Sequence, residues 1–328
     1  MSKNMNIGSS MSPVGTNRPE RYIKNQLIEV PLYMSKNKIA ICIPVHGWSV
    51  VLEETLESIR NSEGIIGGNI DIIISNSGVD FLLKNGKDCI FIKINDDDYW
   101  VGAVSKLYEY CNKNGYDYVY LMNHDCLVDK LCLANLYEFC KNNTNTVAHS
   151  VVLYRDSVNK IWWAGSKIKC LMGLYLMYKD KDKSELPPFP YEIDSAMGQC
   201  LLLPIKALKK HYLHEAKFQH YFGDSVQTCE MKRDGYKIFI VPNAISYTDQ
   251  TDDERKQSLI RPDTIKDLYR IWTAPYSGRN LKATYYSSIY HQNCVIGKII
   301  YPMYRVLLQI AKPVFQYLII KATGVYIK

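Results

Sequence analysis

The last acidic residue of this 328-residue chain is Asp267. Eight cations follow it: Arg270, Arg279, Lys282, Lys298, Arg305, Lys312, Lys321 and Lys328. The whole net charge of +7 therefore resides in the tail, and the remainder is near neutral. Such one-sided charge points to an anionic surface met by that end of the chain. Other features are missing too. The ten cysteines contain no C-x-x-C pair and no ligand spacing with His211 or His214, which argues against a zinc site. The polar start of the chain has no apolar h-region, so no secretory leader is expected. Scattered cysteines without a framework predict reduced thiols in a cytoplasm. No repeat of 20–50 residues suggests a solenoid. Neither G-x-x-x-x-G-K-S/T nor G-x-G-x-x-G occurs, which excludes a P-loop NTPase and a dinucleotide enzyme.

What is present is an ordinary globular composition, 47% apolar and 22% charged. Three regions follow from its patterning: a flexible lead-in over residues 1–35, a catalytic domain over 36–250, and a basic, apolar helical extension over 251–328. Within the domain, apolar runs at 38–44, 70–75, 89–94 and 118–122 read as buried strands. Helical spacing over 49–63, with Ser49 as N-cap, and over 101–114, closed by Gly115, separates them. A further helix starts near Asp129. This alternation predicts an α/β fold with a mostly parallel central sheet covered by helices. In the second half, 146–154, 161–169, 198–204 and 237–241 read as strands and 224–234 as a helix.

Ligands of such sheets bind at the carboxyl ends of the strands. Here those ends are residues 44–47, 75–77 and 123–125. Asn123 and Asp125, on the same side of an extended segment, offer oxygen ligands to Mg²⁺ or Mn²⁺; the same pair also suits a turn or helix cap. A literal D-x-D at Asp96–Asp98 reads equally as a solvated loop. Asp224 opens a helix, as either N-cap or base. Trp162 and Trp163 would stack on a sugar ring or pack in the core.

The order of these pieces is more informative than any one of them. Pro44-Val45-His46-Gly47, then Ile73 to Gly78, Gly115 to Asp125, Trp162 to Gly165, Asp194 with Gly198, Tyr221 to Asp224, and Arg233 to Ile238 follow in turn. This succession resembles the family 2 glycosyltransferases, of GT-A fold, over roughly residues 38–248, and specifically those that build bacterial cell-surface polysaccharides. The resemblance implies a nucleotide-sugar pocket lined by Pro44, Val45, His46, Gly47, Ser75, Asn76 and Asn123. It implies metal ligands at Asn123 and Asp125, a catalytic base at Asp224, and an acceptor side bordered by Trp163, Gly198 and Phe222. Three positions depart from the family pattern. Ser75 stands where an Asp usually pairs with the nucleobase, and Gly223 replaces the Glu before the base. Thr248 stands in place of a metal-contacting His, with Asp249 as the substitute oxygen ligand.

Residues 295–328 combine aliphatics and tyrosines with cations at Lys298, Arg305 and Lys312, seven apart. Their longest uncharged run is too short to span a bilayer, and Pro302 and Pro313 are expected to kink or break the helix. A helix lying on a membrane surface is the preferred expectation. Packing on the catalytic domain or in a homodimer is the alternative, and nucleic acid is not an expected partner. Together these features predict a cytoplasmic, inverting glycosyltransferase, peripheral at the inner face of the cell membrane. It would move sugar from a nucleotide-sugar to a glycan or lipid-linked glycan hydroxyl. The alternative is a catalytically silent GT-A scaffold acting as a binding subunit.

Overall fold

The structure, a computed structural model, describes residues 37–63, 69–84, 86–209, 213–248 and 260–324. The lead-in over 1–35, His211 and Asp249 lie outside the described residues. All described residues belong to one compact unit.

The first half alternates as its apolar spacing predicts: β1 (Lys38–Val45), α1 (Val50–Arg60), β2 (Asn69–Asn76), β3 (Cys89–Lys93), α2 (Tyr99–Lys113) and β4 (Tyr118–Leu121). Ser49 caps α1 by accepting from Leu52 N. Gly115 takes the left-handed conformation beyond the end of α2, at φ 71°. A short β5 (Cys126–Val128), α3 (Cys132–Asn142) and β6 (Thr146–Tyr154) follow. Next come β7 (Ser157–Trp163), β8 (Ser166–Lys169), β9 (Gly173–Leu176), β10 (Tyr191–Ile193) and β11 (Leu201–Pro204). The one-turn α4 (Ile205–Leu208), α5 (Gly223–Arg233) and β12 (Lys237–Thr248) complete the sheet region. The tail forms α6 (Ile265–Thr273), α7 (Leu281–Tyr290) and α8 (Val295–Thr323).

The main sheet runs β10-β12-β6-β11-β4-β1-β2-β3, with β5 on β12 and β7 on β6. β4, β1, β2 and β3 are mutually parallel, and β12 is parallel to β6. β11 is inserted antiparallel to both β4 and β6. Side chains of β1 alternate between two cores, as a sheet buried on both faces requires. Ala40 and Cys42 join Val101, Leu107 and Val226 from α2 and α5. Ile39, Ile41 and Ile43 join Leu52, Leu56 and Leu133 from α1 and α3.

Four expectations are corrected. The strand over 161–169 is two strands, because Gly165 turns the chain at φ 102°, and a Cβ there would lie 2.5 Å from Ile193 Cγ2. The strand from Lys237 does not stop at Pro242. It runs to Thr248 through a bulge between Val241 and Ile245, where a missing N–H is tolerated. Pro302 and Pro313 lie inside one continuous helix; both are buried against the rest of the protein, whose packing carries the helix past the lost hydrogen bonds. Finally, Cys170 and Cys294 form a disulfide across a sequence separation of 124, joining the β8–β9 connection to the start of α8. The other described cysteines are free.

The tail helices dock on α5 through polar contacts. His291 Nε2 lies 3.1 Å from Ser225 Oγ, and Arg233 donates to the carbonyls of Tyr290 and Gln292. Burial, with Arg305 and Arg233 nearby, pushes the His291 pKa down to about 3, so the ring is neutral at this junction. The disulfide closes a long loop, so reduction is expected to cost about 2–4 kcal/mol. Thermal unfolding with and without reductant checks this: the midpoint should fall on reduction, and a Cys170→Ser, Cys294→Ser double variant should start low and ignore reductant.

Candidate active site

Parallel pairing places the carboxyl ends of β1, β2 and β4 along one edge, since Pro44 sits opposite Ser75 and Cys42 opposite Leu121. Pro44 and Val45 are buried in the strand itself, while His46 is exposed and Gly47 half-buried at the open end. Asn76 ties the two neighbouring loops together: its Oδ1 accepts from Gly47 N and Gly78 N, each at 3.0 Å. Its Nδ2 donates to Val79 O at 3.1 Å. His46 Nδ1 lies 2.9 Å from Ser77 Oγ. The loops approach so closely that a Cβ at Gly78 would lie 2.5 Å from Gly47 N. Ser75 is fully buried, and its Oγ has no hydrogen-bond partner among the described residues.

At the end of β4, Asn123 and Asp125 are half-buried and His124 is exposed, the alternation expected of an extended segment. Trp100 Nε1, in the first turn of α2, donates to Asn123 Oδ1 at 3.1 Å. Nothing in the sequence marks Trp100 as a site residue; only the register of α2 against the sheet reveals it. The antiparallel β11 sets Leu201 opposite Leu121, so Gly198, just before that strand, returns to the same edge. Gly198 lies under the Trp100 ring, where a Cβ would come within 2.5 Å of Cζ2. Its N–H donates to Asp224 Oδ2 at 2.6 Å. One continuous chain of contacts thus links Asn123, Trp100, Gly198 and Asp224.

Asp224 stands in the first turn of α5, and its Oδ1 also accepts from Ser225 N at 2.7 Å. Burial pushes its carboxyl above the ordinary range, and these backbone donors only partly oppose the shift. Phe222, immediately before α5, adopts φ 73°, a left-handed conformation that a bulky residue holds only when its surroundings impose it. Gly223, the next residue, stands in a crowded place: a Cβ there would meet Val101 Cγ2 at 2.8 Å.

Other expected residues sit apart. Trp163 is 2% exposed, with its ring centroid 4.3 Å from that of His149. The D-x-D at 96–98 forms a single 3₁₀ turn in which Asp98 accepts from Asn95 N at 2.9 Å. Thr248 is buried and pairs with Cys126, the residue after Asp125. Asp194, in the motif order, is a structural ion-pair member: burial raises its carboxyl, but Lys232 at 2.7 Å and Ile168 N more than offset this.

Among the described residues no three His, Cys, Asp or Glu side chains converge as a metal set. Asn123 and Asp125 together offer an all-oxygen pair with a single carboxylate. That donor set suits a hard cation whose remaining ligands are water and diphosphate oxygens, as Mg²⁺ and Mn²⁺ prefer.

Residues 40–211, more than half of the sequence, match the family described as Glycosyl transferase family 2. The chain belongs to this family. No curated protein gives a significant match. Among solved structures, a crystal structure of GalNAc-T7 with UDP, GalNAc and Mn²⁺ is similar, with TM-score 0.50 and 12% identity. The similarity covers 65% of this chain and 44% of that one. The fold of this glycosyltransferase is GT-A, as the sheet order and flanking helices indicate.

Gly198→Ala would force the Trp100 ring aside and disturb the acceptor bond of Asp224. The expected cost is about 1–3 kcal/mol of stability, with an altered near-ultraviolet circular dichroism signal from the displaced indole. An unchanged spectrum and unfolding midpoint would show that this contact does not organise the site.

Proposed function

We propose that the protein is an inverting glycosyltransferase that moves a sugar from a nucleotide-sugar donor to a hydroxyl of a glycan acceptor. The observation that carries this is Asp224, a half-buried carboxylate with a raised pKa, tied through Gly198 and Trp100 to Asn123. Asp224 is the base. It takes the acceptor hydroxyl's proton as that oxygen bonds to the anomeric carbon and the bond to the nucleoside diphosphate breaks. A single displacement inverts the centre. The donor lies along the strand ends at 44–47, 75–76 and 123, and the acceptor approaches from the side of Gly198 and Phe222.

Asp125 and Asn123, with Asp249, would hold Mg²⁺ or Mn²⁺, which supplies charge neutralisation at the departing diphosphate. The catalytic part spans 36–250, and the extension over 251–328 meets a membrane surface. The acceptor class is therefore a lipid-linked glycan of cell-surface polysaccharide, and the location is the cytoplasmic face of the membrane. The free thiols favour that location and the Cys170–Cys294 disulfide disfavours it.

Two measurements check the chemistry. Because Asn123 and Asp125 bring a single carboxylate between them, Mn²⁺ alone should leave the unfolding temperature unchanged. Mn²⁺ with UDP, GDP, dTDP or CMP should raise it for one nucleotide, and EDTA or Asp125→Ala should abolish the rise. Asp224→Asn should keep that nucleotide response and lower transfer about 10²–10⁴-fold. In the wild type, transfer requires the carboxylate, so activity falls as pH drops through the raised pKa of Asp224. The fall should begin at higher pH than for a solvated Asp, whose pKa is about 3.9. Nucleotide binding with transfer unaffected by Asp224→Asn would assign the base elsewhere; no transfer in the wild type would favour the silent scaffold.

A further inference from the structure

Helix α8 is built inside out. Tyr301, Gln309, Pro313 and Gln316 recur at helical spacing on the side that packs against the protein, and Tyr301 and Gln316 are only 5% and 6% exposed. That side is held by polar contacts: Trp272 Nε1 donates to Gln309 O at 3.0 Å, and Arg279 Nη1 to Gln316 Oε1 at 3.1 Å. The opposite side carries Ile300, Met303, Leu307, Phe315 and Leu318, with Met303, Leu307 and Phe315 62–69% exposed. An ordinary surface helix points its apolar stripe at the core. A contiguous exposed apolar band marks an interaction surface instead.

Charge selects the occupant. Lys298 and Lys312 are exposed, whereas Arg305, at the same seven-residue spacing, turns inward to donate to the Tyr301 hydroxyl, and no acid follows Asp267. A second copy packed along this helix would bring two positively charged, acid-free tails together, which is repulsive. Anionic headgroups beside an acyl phase satisfy both the cations and the apolar band. Among the described residues no helix is long and apolar enough to cross a membrane, so the contact is in-plane.

We infer that the outer face of α8 lies half-embedded in the surface of an anionic bilayer, with Met303, Leu307 and Phe315 at the acyl boundary and Lys298 and Lys312 at the lipid phosphates. This deepens the lipid-linked acceptor proposed above and rests on it only for its purpose. The helix leads back to the base by a short path, because the segment joining α7 to α8 is fastened to α5 through His291 and Ser225. Docking of α8 thereby sets the orientation of the helix carrying Asp224 relative to the membrane.

The test is flotation of the full chain with vesicles of phosphatidylcholine, alone and mixed with phosphatidylglycerol. The wild type should float only with the mixed vesicles. Leu307→Glu with Phe315→Glu should abolish flotation, and Lys298→Gln with Lys312→Gln should weaken it about five-fold per lysine. All four side chains are exposed, so the variants should keep the wild-type unfolding temperature. Failure of the wild type to float, or flotation unchanged by the double Glu variant, overturns the inference. So does a lipid-free dimer that the double Glu variant splits, because a second copy then covers the face. Metal-dependent nucleotide binding, measured on the same proteins, is a separate readout: its loss in the wild type strikes the proposed chemistry while leaving the lipid result standing.

Discussion

The missing side chain at Gly198 is the constraint around which the site is organised. It lets the Trp100 indole settle on the backbone at the start of β11, and it frees the Gly198 N–H to reach Asp224. The same indole donates to Asn123 at the end of β4. A side chain at 198 would push the Trp100 indole, and with it the start of α2, away from the sheet edge. The antiparallel insertion of β11 is what makes this possible, since only a reversed strand could bring its amino end to the carboxyl ends of β1, β2 and β4.

Around that contact the strand-end loops are stiff and the Asp224 carboxylate is desolvated. Asn76 spends its carboxamide on the backbones of both neighbouring loops. Such cross-bracing holds the loops at a fixed separation, which a phosphate-bearing ligand requires. Asp224, by contrast, gains two backbone donors but loses water, and the loss dominates. The left-handed Phe222 and the crowding at Gly223 leave little freedom in the turn that aims it. An elevated pKa on a constrained turn suits the role of base proposed for Asp224, since the driving force for proton abstraction rises with basicity.

The C-terminal helices add a second physical theme. They join the catalytic region by polar contacts and one disulfide as well as through α7, whose Ala283 lies in the main core with Tyr286 and Tyr290 packed against it, while apolar side chains face outward along α8. Hydrophobic burial is the usual reason a helix adheres to a domain. Along α8 much of the apolar surface is left exposed, and that is the surface proposed above to meet lipid.

Local periodicity determined much of this protein unaided. The β1–α1–β2 and α2–β4 alternation, the Ser49 cap, the turn at Gly115 and the limits of β6 were all legible, because each depends on residues close in sequence. The order of motifs likewise carried the family, and the basic tail announced its asymmetry. Only tertiary structure decided the rest. The Cys170–Cys294 pair, the role of Trp100 and the crowding at Gly223 depend on contacts between segments far apart in the chain. Pro242 and the tail prolines were misread because a bulge and external packing relieve what a proline costs an isolated strand or helix. The hydrophobic pattern of α8 was visible from the start, but which side of it faces the protein is a property of the fold. No periodicity contains that, because an amphipathic helix reads the same whichever face its domain supplies.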